Sequence, residues 1–361
     1  MTSLRVALVP FLVTRVLLFM WAWWAASQPH SEEYPWQLFP QWPWLDGWAR
    51  WDSGWYSQTM KSGFSINGTA AFFPLYPFSS WVVGTPLRLF LNYIQASVVG
   101  GIALSYAGFL AGLTCLHRLM LLVGEPAAAR RCLWLVCAFP FAYYFGAFYA
   151  EGLFFTLIVA TFFFLETGQW WRACGFLSLA ILTQPSGVLV GSGLALEMLW
   201  RCRREGQGYG RLLPLALPVL ASLALLVFYS QQAGHPWATR QAQLALWGHH
   251  HVWNDLADLP KLRGSELAIQ LGQLVCLGLG LVATVGVARR FGPGYAWAVA
   301  AALLAPAYHS LASTGRYLSV LFPCFMWFSE KVPRLWVILV VLGMLGQAYF
   351  LRLFVTWSGS R

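Results

Sequence analysis

Apolar residues in this chain run in long unbroken blocks rather than alternating with polar ones, which selects helices over strands. Blocks of roughly 20 residues are what a helix needs to cross about 30 Å of hydrocarbon. On this pattern spans are predicted at approximately 5–27, 95–117, 131–149, 151–167, 171–184, 187–200, 212–232, 266–288, 294–309, 317–329 and 335–355, about 11 in all. Some are short, and the pair over 171–200 is broken by the LTQPSG stretch. The stretch 72–92 is apolar enough to cross, but Pro74, Pro77, Pro86 and Arg88 interrupt it. Counting it as a span would move the downstream basic clusters to the other side, so it reads as a re-entrant or interfacial segment.

The polar positions between the blocks give the orientation. With the N-terminus inside, the inner side receives Arg5, Arg118, Arg130, Arg131, Arg172, Arg201, Arg203, Arg204, Arg211, Arg289, Arg290, Lys331 and Arg334. The outer side receives fewer cations, chiefly Arg50, Lys61, Arg88, Arg240, Lys261, Arg263 and Arg316. That asymmetry obeys the positive-inside rule. Residues 1–361 then form a single integral membrane domain, with one outer loop over 28–71 and a second over 233–265. The first block could be taken for a signal peptide, but Arg15 interrupts it and Trp21, Trp23 and Trp24 stand where small residues precede cleavage. It reads as a retained first span, whose Arg15 should find a partner, a carboxylate being one candidate.

Composition agrees. Of 361 residues 58% are hydrophobic and 10% charged, against roughly 25% charged in a soluble domain. The expected fold class is an all-α polytopic membrane protein. The 21 tryptophans suit aromatic belts at both interfaces. A net charge of +10 raises the question of nucleic acid. Its basic residues sit in short clusters between apolar blocks, which suits anionic headgroups instead, so no nucleic-acid partner is expected. The seven cysteines lie outside the long outer loops and lack zinc-site spacing, so they read as small apolar residues.

Candidate chemistry lies on one face. All four aspartates, Asp46, Asp52, Asp255 and Asp258, fall in the two outer loops, and Glu151, His309 and Arg316 flank outer span ends. Ionisable groups beside a membrane are costly, so several converging on one face suggest a site; wet loops carrying charge are the plain alternative. If 45–60 is one helix, Trp48, Trp51 and Trp55 form a stripe that would dip into the headgroup layer, with Asp52, Trp55 and Tyr56 on the neighbouring face. Asp52 or Asp46 as a mere helix cap is the competing reading. Glu151, next to Tyr149 in FYAEGLFF, must find a partner or stay protonated. Arg316 could clamp a phosphate or anchor at the interface. The prolines of FFPLYP read as architecture. The run His249, His250, His251 ahead of Asp255 and Asp258 has a metal-binding composition, but adjacent histidines point apart and rarely ligate one ion, so no metal or other cofactor is predicted. No Walker loop, GxSxG, HExxH or dinucleotide fingerprint occurs.

RWDSGWY (50–56), AFFPLYP (71–77), FPFAYYFGAFYAEGLFF (139–155), LTQPSG (182–187), GHPWATRQAQLALW (234–247) and GRYLSVLFP (315–323) occur in an order that resembles the PIG-V family of mannosyltransferases. Each motif is weak alone; the ordered set threads most of the chain. The resemblance implies a GT-C-type helical bundle with interfacial helices in its outer loops, and a polyprenyl-phosphate sugar as donor. It implies Asp52 as the catalytic residue. It makes Trp51, Trp55, Tyr56, Tyr149, Glu151, Gln184, His235, Gln241, His309 and Arg316 substrate-binding candidates. One position departs: the family pattern leads one to expect arginine before Pro185, and Gln184 stands there.

The expected function is therefore an inverting transfer of a sugar, mannose by resemblance, to a lipid-linked or glycan acceptor at the outer face of a bacterial plasma membrane. Asp52 would be the general base, with Arg316, aided by His309, on the departing phosphate. Rival readings are a transporter or flippase of lipid-linked sugars, or a catalytically silent subunit of a glycosylation complex. The absence of an internal repeat and the clustering of polar groups at one interface favour the enzyme.

Overall fold

In the computed structural model, residues 2–28, 37–206, 208–248 and 251–358 are described, with the backbone alone at Trp247, Ala305, Pro306, Tyr308 and His309. Among them every regular element is helical, with no strand. Among the described residues five helices are long and apolar enough to cross a membrane: Ser3–Ala26, Tyr93–Val123, Tyr209–Ala233 (which opens with a 3₁₀ turn), Gly264–Arg290 and Trp336–Val355. The first is sided: Arg15, Leu18 and Ala22 face protein, while Val16, Leu17 and Met20 are more than half exposed, as a lipid-facing stripe requires. The chain is a multi-pass membrane protein.

The estimate of about 11 spans is not reproduced as such, because several predicted blocks are broken. The block 131–149 is helical only as Pro126–Ala138, then passes Pro140 into a 3₁₀ turn, Ala142–Gly146. Proline lacks an N–H and clashes with the preceding turn, so the helix stops before it. The block 317–329 is also split, into Thr314–Val320 and Phe322–Lys331, at Leu321, with Pro323 in the first turn of the second helix. The stretch 72–92 holds a helix of 10 residues, Leu75–Gly84, followed by the 3₁₀ turn Thr85–Leu89. Ten residues of helix reach about 15 Å, half the hydrocarbon thickness.

The bundle is organised around the longest helix, Tyr93–Val123, which packs against Glu151–Glu166, Leu75–Gly84 and Ser3–Ala26. Without a hydrophobic drive between helices in lipid, close backbone approach supplies the packing. A Cβ on Gly152 would come within 2.2 Å of the Ser105 carbonyl oxygen. Only glycine lets that helix, which starts at Glu151, seat against the central one.

Arg15 does not meet a carboxylate. Its guanidinium donates to the carbonyls of Cys137 and Ala142, each at 2.8 Å, and lies over the Phe109 ring at 5.2 Å. Cys137 lies in the last turn of the helix that stops before Pro140, where a backbone acceptor in a dry interior needs a donor, and Ala142 opens the 3₁₀ turn that follows. Arg15 thus bridges the helix break at Pro140 and fixes the 3₁₀ turn that leads toward Tyr149 and Glu151.

Candidate active site

Residues 45–60 are not one helix. A short helix, Pro43–Asp46, is followed by turns, and a second helix, Asp52–Ser62, begins at the aspartate itself. Trp51 breaks them with φ 56° and ψ −116°, a region that costs a side-chain-bearing residue about 1–3 kcal/mol. The tryptophans therefore do not form one stripe dipping toward headgroups: Trp48 is buried at 2% exposure, Trp51 packs on Trp357, and Trp55 stacks on Phe72. Protein surfaces claimed indoles that amphipathic spacing had assigned to the interface.

Asp46 and Asp52 have different roles. Asp46 is buried, accepts from the backbone N–H of Leu38 and Phe39 at 2.8 Å each, and pairs with Arg50. It is a loop anchor. Asp52 is the first residue of its helix rather than the N-cap, which is Trp51. Its Oδ2 is bonded by Nη1 of Arg316, which comes from the helix Thr314–Val320, and both side chains keep some exposure, 21% and 17%.

Glu151 completes the cluster. Its Oε1 lies 3.3 Å from Nε of Arg316, an ion contact rather than an aligned hydrogen bond, since that Nε–H has no hydrogen-bond partner. Its Oε2 is buried and has none either. The Gln184 side chain approaches the same carboxylate. Asp52 and Glu151 each open a helix, where the positive end of the dipole favours a carboxylate. Burial alone would lower the pKa of Arg316; Asp52, then Glu151, more than offset this and hold it well above its ordinary value, so it is always a cation. Its guanidinium also lies near the rings of Tyr144, Tyr149 and Tyr317, at 5.5 to 5.7 Å.

Backbone pairing between distant segments holds this geometry. The Tyr149 hydroxyl donates to the Arg50 carbonyl at 3.2 Å and accepts from the Asp52 N–H at 3.1 Å. The Ser53 hydroxyl donates to the Phe148 carbonyl at 3.1 Å, and the Phe148 N–H to the Trp48 carbonyl at 2.9 Å. Ser105 donates to the Tyr149 carbonyl at 2.7 Å and shares a 2.9 Å bond with Tyr76 of FFPLYP. Tyr56 packs on Phe72, Tyr76 and Phe148. Burial first, then Glu151 and Asp52, push its phenol well above its ordinary pKa, so it remains an O–H donor.

The structure thus gathers Asp52, Glu151, Arg316, Gln184, Tyr149 and Tyr56, with Trp51 and Trp55 at the margin. It does not bring in His235, whose Nδ1 accepts from the Trp237 N–H at 3.0 Å, or Gln241, exposed on the helix Ala238–Trp247. That helix packs on the turn Thr69–Ala71 beside Trp55. The side chain of His309, and both His249 and His250, lie outside the described residues. Asp255 accepts from the Leu311 N–H at 2.7 Å, and Asp258 pairs with Lys261 at 2.7 Å. Among the described residues no three His, Cys, Asp or Glu side chains gather as a metal site. Sequence reasoning missed Arg50 and Ser53 as struts, although both sit inside RWDSGWY.

The structure therefore sets a carboxylate–arginine–carboxylate cluster, Asp52, Arg316 and Glu151, within an all-helical bundle. Residues 26–201 match the family model described as mannosyltransferase (PIG-V). That stretch includes Asp52, Glu151 and Gln184 and ends before Arg316. The chain is also similar in fold to the crystal structure of the Archaeoglobus fulgidus oligosaccharyltransferase tethered to an acceptor peptide containing the NVT sequon. The TM-score is 0.57 at 12% identity, over 99% of this chain. The chain spans 56% of the length of that structure. No curated protein matches the sequence.

Proposed function

We propose that this protein transfers a sugar, mannose on the family resemblance, from a polyprenyl-phosphate donor to a lipid-linked or glycan acceptor, with inversion. The observation that carries the reading is the convergence of Asp52, Glu151 and Arg316 from segments far apart in sequence. The acceptor oxygen attacks the anomeric carbon and its proton passes to Asp52. The bond from that carbon to the phosphate oxygen breaks as the new one forms, and its electron pair leaves with the lipid phosphate. Arg316 stabilises the charge that gathers there. In the resting site Arg316 is paired with Asp52, so the donor phosphate takes over part of that pairing and releases Asp52 to act as base. The unpartnered Oε2 of Glu151 is a ready acceptor for a sugar or acceptor hydroxyl.

Sidedness follows the charges. Glu151 and Glu166 are the two ends of one helix, about 22 Å apart along its axis. The Glu166 end meets Arg201, beside Arg203 and Arg204. Basic clusters favour the cytoplasm, which supports placing Asp52 at the extracytoplasmic face.

The test is transfer by purified protein in detergent, offered polyprenyl-phosphate mannose, glucose and arabinose in turn with a lipid extract as acceptor. Transfer from one of them, lost in Asp52→Asn, is the expected result. No transfer from any donor rejects the reading in favour of a transporter or a silent subunit.

A further inference from the structure

We propose that the C-terminal turn of the last helix is a strap that holds Asp52 in its reactive position, with Trp357 as its principal positioning residue. This rests on the transfer reading above.

The starting point is backbone strain. Among the described residues, only Trp51 and Trp357 have positive φ without being glycine, at 56° and 55°. Both conformations are costly for a bulky residue and persist only where the surroundings over-determine them. The two residues over-determine each other: their rings are 4.6 Å apart, inclined at 56°, and Trp357 is 7% exposed. Trp51 is the residue before Asp52, so its φ and ψ aim both the helix Asp52–Ser62 and the Asp52 side chain.

Three further contacts join the same two segments. Trp51 Nε1 donates to the Phe354 carbonyl at 3.2 Å, and Arg50 Nε donates to the Val355 carbonyl at 3.1 Å. The Arg50 guanidinium also lies over the Trp357 ring at 5.6 Å. The last carbonyls of a helix have no intrahelical donor and carry the negative end of its dipole, so a cation is the fitting partner. Gly47 makes room for the approach: a Cβ there would sit 3.1 Å from Cγ1 of Val355.

The strap also reaches the other half of the site. The Phe354 ring lies 5.3 Å from that of Tyr143 and 5.8 Å from that of Tyr149. Tyr149 in turn bonds the Arg50 carbonyl and the Asp52 N–H. One turn of chain therefore touches both segments that bring the carboxylates to Arg316. Loss of the Trp357 ring lets Trp51 relax to an ordinary conformation and swings Asp52 off line. Binding groups elsewhere stay in place.

Trp357→Phe, Trp357→Leu and Trp357→Ala are compared in the full chain, with transfer from polyprenyl-phosphate mannose normalised to folded protein. Hydrogen exchange of the amides of residues 51–54 is followed in parallel. Misplacing a catalytic group by about 1 Å costs up to 100-fold, so Trp357→Ala should lower kcat about 30-fold with donor KM within about 2-fold. Trp357→Phe, which keeps a stacking ring, should stay within about 3-fold of the parent, with Trp357→Leu between them. Exchange at 51–54 should quicken in the same order. If Trp357→Ala does not accumulate, Trp357→Leu against Trp357→Phe decides. Equal kcat and equal exchange across the series overturn the strap. If the unsubstituted protein transfers nothing, the transfer reading fails, and the exchange series still decides whether the strap holds the loop.

Discussion

Two clusters at opposite ends of the helix Glu151–Glu166 contain the same ingredients, one arginine and two glutamate or aspartate carboxylates, and differ in how completely they are bonded. At one end Arg201 pairs with Glu166 at 2.5 Å and Glu197 at 3.0 Å. There Glu197 Oε2 also accepts from the Gly294 N–H at 3.0 Å, and Glu166 accepts from the Tyr295 hydroxyl at 2.7 Å. At the other end Arg316 lies between Asp52 and Glu151, but its Nε–H and the Glu151 Oε2 are left without hydrogen-bond partners. Breaking a satisfied buried pair costs stability, whereas loose valences in a similar setting are available to a ligand. The same chemistry is fully bonded in one place and left open to a ligand in the other.

That contrast can be broken by experiment. Asp52→Asn should reduce transfer about 1000-fold at unchanged abundance, the range for losing a general base. Turnover within a few-fold of the parent would remove Asp52 from that role. Next in size is Arg316→Gln, expected to lower kcat about 100-fold through lost stabilisation of the departing phosphate. A pure rise in donor KM would make Arg316 a binding residue only. Tyr149→Phe deletes the hydroxyl between Arg50 and Asp52, and at roughly 1 kcal/mol for such a bond the rate should fall about 5-fold. Arg201→Gln is the reciprocal test at the Glu166 end. It should destabilise the fold by about 3 kcal/mol while turnover per folded molecule stays unchanged; a selective loss of turnover would erase the distinction between the clusters. Smallest of all, a chelator should change the rate by less than about 2-fold, because Arg316 supplies the positive charge a metal would otherwise provide. A larger loss, restored by divalent cations, would put a metal into the mechanism.

The long apolar blocks and the clustered arginines made the membrane class and the positions of the longest helices readable, since length and hydrophobicity alone decide what can cross a bilayer. Motif order pointed to Asp52, Glu151 and Arg316 together. Local reading failed where local rules lost to tertiary packing. Helical spacing put Trp48, Trp51 and Trp55 on one stripe, and burial of Trp48 with the inverted backbone at Trp51 dispersed them. The sequence left the partner of Arg15 open, and carbonyls on either side of a proline break took it. His235 and Gln241 lie in a matching motif, yet their segment packs beside Trp55 rather than on the carboxylates.

By itself the sequence determined the solvent this protein folds in, the helical class and the residue types available for chemistry, because those depend on composition and on the length of apolar runs. Only the tertiary structure decided which charges meet. Asp52 and Arg316 are 264 positions apart, and nothing local distinguishes Arg316 from an interface anchor or Asp46 from Asp52. A glycine at the central helix crossing, a proline break capped by Arg15, and a last helix ending against Arg50 set that meeting. Each is a packing event between segments that no periodicity records.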